Sequence, residues 1–130
     1  MDLTTTEKIS ENEKKEMEIE NKLAYVLAKV YVQIPWKKIG VKSAHKFFVD
    51  RIRASSNSPN FKEFLDLFLK KCNVEFVKID VEIIDFLDDN HALVMSLLRR
   101  ESVYIANFAL ETVELVKEER KLKAQGQTTL

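Results

Sequence analysis

The residues of this sequence best suited to bind a charged ligand are the basic side chains between Trp36 and Ala54. Lysine or arginine occupies six positions there against the single acid Asp50, a surplus of five positive charges. Closely spaced cations attract polyanions, because each contact with a phosphate releases a condensed counterion. We therefore predict a surface that binds DNA or RNA mainly through the backbone. The six cations are Lys37, Lys38, Lys42, Lys46, Arg51 and Arg53.

The spacing of these cations predicts one basic helix face. Lys42, Lys46 and Arg53 are separated by four and seven residues, which places them near one side of a helix. Three apolar residues lie on the opposite side and would anchor the helix to a core: Phe47, Phe48 and Ile52. The alternatives are a basic face that is merely solvated and a face that binds an acidic protein.

Trp36 is the only tryptophan and stands directly before two lysines. An indole in that position could stack on an unpaired base, as aromatic side chains do in proteins that bind single strands. The competing interpretation is that the ring closes the end of a helix. We include Trp36 among the predicted nucleic-acid-binding residues.

Two further groups of residues could in principle support metal binding or catalysis. Asp85, Asp88, Asp89 and His91 are of the types that bind divalent ions, but acids beside a helix N-terminus are also what the helix dipole favours. Cys72 falls on the apolar stripe of a predicted helix, where cysteine behaves as a small hydrophobic residue. We therefore predict no metal, no cofactor and no enzymatic activity.

The composition requires mostly helical elements to position these residues. The chain has 130 residues with 45% hydrophobic content, enough for a single domain with a buried core. Two glycines and two prolines are too few for the turns of a β-sandwich or barrel. They also exclude glycine-rich phosphate loops. Because 21 basic residues balance 21 acidic ones, net charge does not indicate a partner.

Apolar periodicity predicts a compact bundle of four to five helices with a long C-terminal helix. Ser10 and Glu13 form a capping box before an apolar stripe that must end ahead of Pro35. A helix over 41–54 follows, and after a serine-rich loop Ser58 would cap the next helix, with Pro59 in its first position and Asn73 at its end.

The remaining elements are less clearly specified. Residues 77–83 alternate apolar and polar, the period of a half-buried strand, so one short β element near 74–84 is predicted. The alternative is a short helix capped by Asp80. A long final helix would open at Asp88, Asp89 and Asn90, with Glu101 interrupting its apolar stripe through a surface pairing, a bend or a subunit contact. We predict one domain over 10–123 and disordered tails at 1–9 and 124–130.

No segment approaches the ~20 apolar residues of a membrane span, and the first twenty residues lack the apolar stretch of a secretory signal. The expected location is therefore cytoplasmic.

The run Phe47-Phe48-Val49-Asp50-Arg51-Ile52, followed by a serine-rich turn and an amphipathic helix, resembles the small subunit of archaeal CRISPR effector complexes. The resemblance covers residues 41–72. It implies a non-catalytic helical protein that lines the nucleic-acid path of a larger ribonucleoprotein. It also implies that Lys42, Lys46, Arg51 and Arg53 form the nucleic-acid face.

The function predicted from these observations is a non-enzymatic nucleic-acid-binding module, a small subunit that also contacts other proteins in a nucleoprotein assembly. One alternative is a winged-helix-like transcription regulator, with 74–84 as a wing strand and the final helix forming a homodimer. The other is a helical adaptor between proteins, in which the long final helix binds a partner helix.

Overall fold

The computed structural model describes residues 10–75 and 77–129, with the side chains of 126–129 left out. Six helices follow one another within these ranges: α1 (Glu11–Gln33), α2 (Trp36–Ile39), α3 (Ala44–Ser55), α4 (Phe61–Lys71), α5 (Val81–Asp89) and α6 (His91–Thr129). The predicted mainly α bundle with a long C-terminal helix is confirmed. The predicted tail 1–9 lies outside the described residues. Helix α6 continues past the predicted domain boundary at 123, to Thr129.

Helix α1 begins and ends where local sequence signals place its ends. The Ser10 hydroxyl accepts a hydrogen bond from the Glu13 amide at 3.1 Å, which satisfies one of the free N–H groups of the first turn. The helix ends at Gln33, ahead of Pro35. Its apolar stripe is buried, mostly against α6, and comprises Ile19, Leu23, Val26, Leu27 and Val30, continued by Ile34 just beyond the helix.

Aromatic rings from α3 and α4 build the centre of the core. Phe48 meets Phe68 edge to face, with ring centroids 5.5 Å apart, and Phe64 packs beside Phe68 at 5.8 Å. These phenylalanines are fully buried, as is Phe61. Because such side chains remove large apolar areas from water, α3 is held firmly and its opposite face is left to solvent.

The caps of α4 differ in part from the prediction. Ser58 is not the N-cap: its hydroxyl donates to the Ser55 carbonyl, and Asn60 accepts from the Glu63 amide at 2.8 Å instead. The helix therefore starts two residues after Pro59. Asn73 ends the helix as predicted, with a left-handed φ of 57° that lets the Val74 amide reach the Leu69 carbonyl at 2.9 Å.

The predicted β element near 74–84 is wrong, since no strand occurs in residues 10–75 and 77–129. Val77 and Ile79 pack against the core from an extended segment that has no partner strand in the described chain. Asp80 accepts from the Glu82 amide at 2.9 Å and caps α5. The alternation thus reflects two apolar side chains that turn inward just before a helix.

Helix α6 begins later than predicted and bends in its first third. Asp88 and Asp89 close α5, and Asn90 separates the two helices. At Glu101 the backbone leaves helical geometry, with φ −132° and ψ 35°. Of the alternatives considered for Glu101, the structure therefore shows the bend. Beside it, Arg100 contacts Glu16 of α1 at 3.2 Å.

Candidate nucleic-acid interface

The predicted basic segment consists of two helices and the connector between them. Trp36 opens the single-turn α2, and its indole lies nearly perpendicular to Phe47 of α3, with centroids 5.7 Å apart. Gly40 ends α2 with a left-handed φ of 72°, a conformation that glycine adopts at little cost. The contact between the two aromatic rings holds α2 against the start of α3, so the cations of both elements lie at one corner of the bundle.

Five of the six predicted cations are exposed to solvent. Lys37 and Lys38 lie on α2, and Lys42 lies in the connector, because α3 begins at Ala44 and not at 41 as predicted. Lys46 and Arg53 lie on α3, seven residues apart. They therefore share a face, with about 10 Å between their backbone positions. We call Lys37, Lys38, Lys42, Lys46 and Arg53 the basic corner.

The basic corner contains one acid but no ion pair. Asp50 is exposed on α3, between Lys46 and Arg53 on the same face. Within residues 10–75 and 77–129, no carboxylate lies within 4.0 Å of any of the five cationic groups. The charge of the corner is therefore reduced by Asp50 without being neutralised.

Arg51 was predicted as part of the nucleic-acid face but packs beside it. Its guanidinium lies 4.4 Å from the centre of the Phe47 ring, a cation–π contact. Its Nε is buried and has no hydrogen-bond partner in the described part of the protein. The side chain therefore helps to fix α3 and is only half exposed.

Trp36 is also held by the protein itself. Its Nε1–H donates to the Tyr31 carbonyl at 3.2 Å, and its ring packs against Tyr31 with centroids 5.0 Å apart. The half-buried indole closes the end of α1 and joins α2 to α3. These contacts favour the structural interpretation of Trp36 over the predicted stacking platform.

The residues considered for metal binding or catalysis are not brought together. No group of three or more His, Cys, Asp or Glu side chains within the described ranges could hold a metal ion. Asp88 instead pairs with Lys62 at 3.8 Å, and the exposed His91 approaches the Asp88 carbonyl. Cys72 is fully buried, and burial raises the pKa of its thiol to about 12, so it stays protonated. His45 is exposed on α3.

The structure also reveals a second group of cations, which the sequence did not indicate. Lys29, Lys78, Arg120 and Lys123 line one cleft, although they come from α1, the 77–80 segment and α6. The only local signals are the short spacings within each helix. Nothing in the sequence shows that the three elements converge.

Comparison with protein-family models, with curated proteins and with solved structures found no match to this chain. Among the described helices, none combines the length and the apolar character needed to cross a lipid bilayer. The function of this protein must therefore be inferred from the geometry and charge of its surfaces.

Proposed function

We propose that this protein is a non-enzymatic helical module that binds nucleic acid through the phosphate backbone, as a small subunit of a larger nucleoprotein assembly. The observation that carries the proposal is the basic corner, with five exposed cations and no carboxylate within ion-pair distance among the described residues. Surface lysines usually have acidic neighbours when they serve only solubility. Here a single acid, Asp50, accompanies five cations.

The rigidity of the corner supports the same function. Phe48 and Ile52 are fully buried on the inner side of α3, and the Trp36–Phe47 contact holds α2 in place. The backbone that carries the cations is therefore ordered before a ligand arrives, which lowers the entropic cost of binding. Lysine and arginine contacts of this kind recognise phosphates and carry no direct sequence information. We expect binding that is similar for different sequences.

The number of cations sets the expected salt dependence. If all five contact phosphates of a single strand, the slope of log K against log salt is about −3.5, and for B-DNA about −4.5. Between about 50 and 200 mM salt the affinity should then fall roughly 100-fold for the single strand and about 500-fold for the duplex. A surface that only attracts ions diffusely would show a much smaller slope.

The test is a fluorescence anisotropy titration with single- and double-stranded oligonucleotides at several salt concentrations. The double variant Lys42→Glu/Lys46→Glu should weaken binding to every sequence and reduce the single-strand slope to about −2. The control Lys14→Glu/Lys15→Glu makes the same change in net charge at exposed positions of α1 and should bind almost as the native protein does.

A substitution of the opposite sign sharpens this test. Asp50→Asn removes the acid from the basic corner and should strengthen binding, whereas loss of an exposed acid outside the corner, such as Glu63, should have a smaller effect. Unchanged affinity in the Lys42/Lys46 variant, or equal weakening in its control, would contradict the proposal. Strong preference for one duplex sequence would favour a sequence-specific regulator instead.

A second candidate function, a protein-binding adaptor, is favoured by the exposed side of α6. Leu115 and Leu122 are 70% and 57% exposed and lie seven residues apart, so they share one face. Sedimentation equilibrium of the native protein and of Leu115→Gln/Leu122→Gln tests this surface. A discrete dimer that the substitutions dissociate, together with no affinity for any oligonucleotide, would select the adaptor.

A further inference from the structure

A small cleft lies where the C-terminal part of α6 crosses the end of α1. Its volume is ≈ 240 Å³, and the fully buried Val116 lies at its base. Lys29 and Gln33 border it from α1, and Lys78 borders it from the segment that precedes α5. Arg120 and Lys123 of α6 complete the walls with Glu119. Three elements distant in sequence thus direct cations into one space.

The one carboxylate among the described residues of the cleft wall is already engaged. Glu119 accepts a hydrogen bond from the Tyr25 hydroxyl, with distances of 2.7 and 2.5 Å to its two oxygens, and Lys123 lies 4.0 Å away. Lys29 lies 4.8 Å from the centre of the Tyr25 ring. These contacts fix Glu119 and Lys29 against the wall. The four cations exceed the carboxylate by three charges.

Lys78 and Arg120 remain exposed at the mouth of the cleft. In the described chain neither has a carboxylate within 4.0 Å. Asp80, two residues along the chain from Lys78, helps to raise the pKa of Tyr25 by its charge, and one of its carboxylate oxygens caps α5. An anion that enters the cleft would therefore meet two cations that have no ion-pair partner among the described residues.

We propose that this cleft is a binding site for a phosphate or diphosphate group. The guanidinium of Arg120 offers paired N–H donors that match two phosphate oxygens, and the Lys78 ammonium supplies a compact charge. The volume lies below the ~300–1,000 Å³ of pockets that enclose whole drug-sized ligands. The site thus takes the charged group and leaves the rest of the ligand outside.

This assignment is independent of the basic corner, because no residue of the cleft belongs to that corner. The phosphate can be carried by a free compound or by a nucleic-acid strand, and both present the same oxygens to Lys78 and Arg120. Isothermal titration calorimetry with inorganic pyrophosphate tests the site without any nucleic acid. The native protein should bind pyrophosphate, and Lys78→Gln/Arg120→Gln should weaken that binding by about tenfold or more.

The matched control is Lys14→Gln/Lys15→Gln, which removes two exposed lysines elsewhere and should leave pyrophosphate binding unchanged. No heat of binding with the native protein, or equal weakening in control and cleft variants, would overturn the proposal. The Lys42→Glu/Lys46→Glu protein should still bind pyrophosphate, which separates this site from the basic corner.

The source of the phosphate follows from a second titration, with a single-stranded oligonucleotide. If Lys78→Gln/Arg120→Gln weakens both ligands, the cleft holds a phosphate of the strand. If it weakens pyrophosphate alone, the cleft holds a free phosphorylated compound. Either result supports the site, since both require that pyrophosphate binding depends on these two residues.

Discussion

The hydrogen bond between Tyr25 and Glu119 joins the C-terminal part of α6 to α1, and Tyr25→Phe removes it while keeping the ring. Both carboxylate oxygens lie within 2.7 Å of the tyrosine hydroxyl. A hydrogen bond to a charged group contributes about 1.5–3 kcal/mol, and the lower end applies because Glu119 is partly exposed. We expect Tyr25→Phe to reduce the free energy of unfolding at neutral pH by about 1.5 kcal/mol.

The same contact predicts that this difference shrinks in alkaline solution. Burial, the hydrogen bond to Glu119 and its charge together raise the pKa of Tyr25 from 10.0 to about 12. The native state therefore keeps a proton that the unfolded chain loses. The stabilisation is complete below pH 10 and is lost as the pH rises towards 12. The whole shift is worth at most ~2.7 kcal/mol, and solvent screening of the half-buried ring reduces this to about half.

Urea unfolding followed by circular dichroism, at neutral pH and near pH 11, measures both effects. The native protein should be the more stable at neutral pH, and about half of its advantage over Tyr25→Phe should be gone near pH 11, midway between the pKa values of the unfolded and native states. Ionisation of the buried Cys72 thiol also destabilises the fold in alkali, but it cancels in the comparison because both proteins contain it. An equal difference at the two pH values would refute the reasoning.

Two further predictions concern the core and a helix cap. Phe48→Ala should lower the free energy of unfolding, measured by urea denaturation, by about 3–5 kcal/mol, because it leaves a cavity between Tyr31 and Phe68. A loss below about 1 kcal/mol would contradict this prediction and show that the core collapses around the site. Asn60→Ala should lower the free energy of unfolding by about 1 kcal/mol through loss of the α4 cap, as measured by thermal unfolding. The control Asn57→Ala, at an exposed position, should change the stability little, and equal effects of the two substitutions would contradict the role of Asn60 as a cap.

The helices that could be predicted were those whose signals are local. The stripe from Ile19 to Val30 and the Ser10 cap are read from neighbouring residues, and both proved correct. The alternating run 77–83 led to the wrong prediction of a strand, because a strand also needs a partner strand, which periodicity does not reveal. Asp80 was the local signal that mattered, since its side chain caps α5.

For the candidate sites too, features with local signals could be predicted and features that depend on tertiary packing could not. Lys46 and Arg53 share a face as their helical spacing predicted, but Lys42 lies outside α3, and Arg51 packs on the Phe47 ring away from the predicted face. The cleft was missed because Lys29 and Arg120 become neighbours only when α6 packs on α1. Such convergence depends on tertiary packing, which no local pattern in the sequence contains.

The neutral total charge of the chain does not weaken the case for polyanion binding. At physiological ionic strength, charges separated by more than about 8 Å are largely screened, so a phosphate at the basic corner responds mainly to its immediate neighbours. Gln33 borders the cleft and precedes Lys37 of the basic corner by only four residues. Four residues span at most ~14 Å, so this is the largest distance between the backbones of Gln33 and Lys37. A strand carries about one charge per 3.4 Å along its axis, so about four phosphates would bridge the two surfaces. Because Asp50 lies within the corner, its removal should strengthen nucleic-acid binding more than the removal of several remote acids.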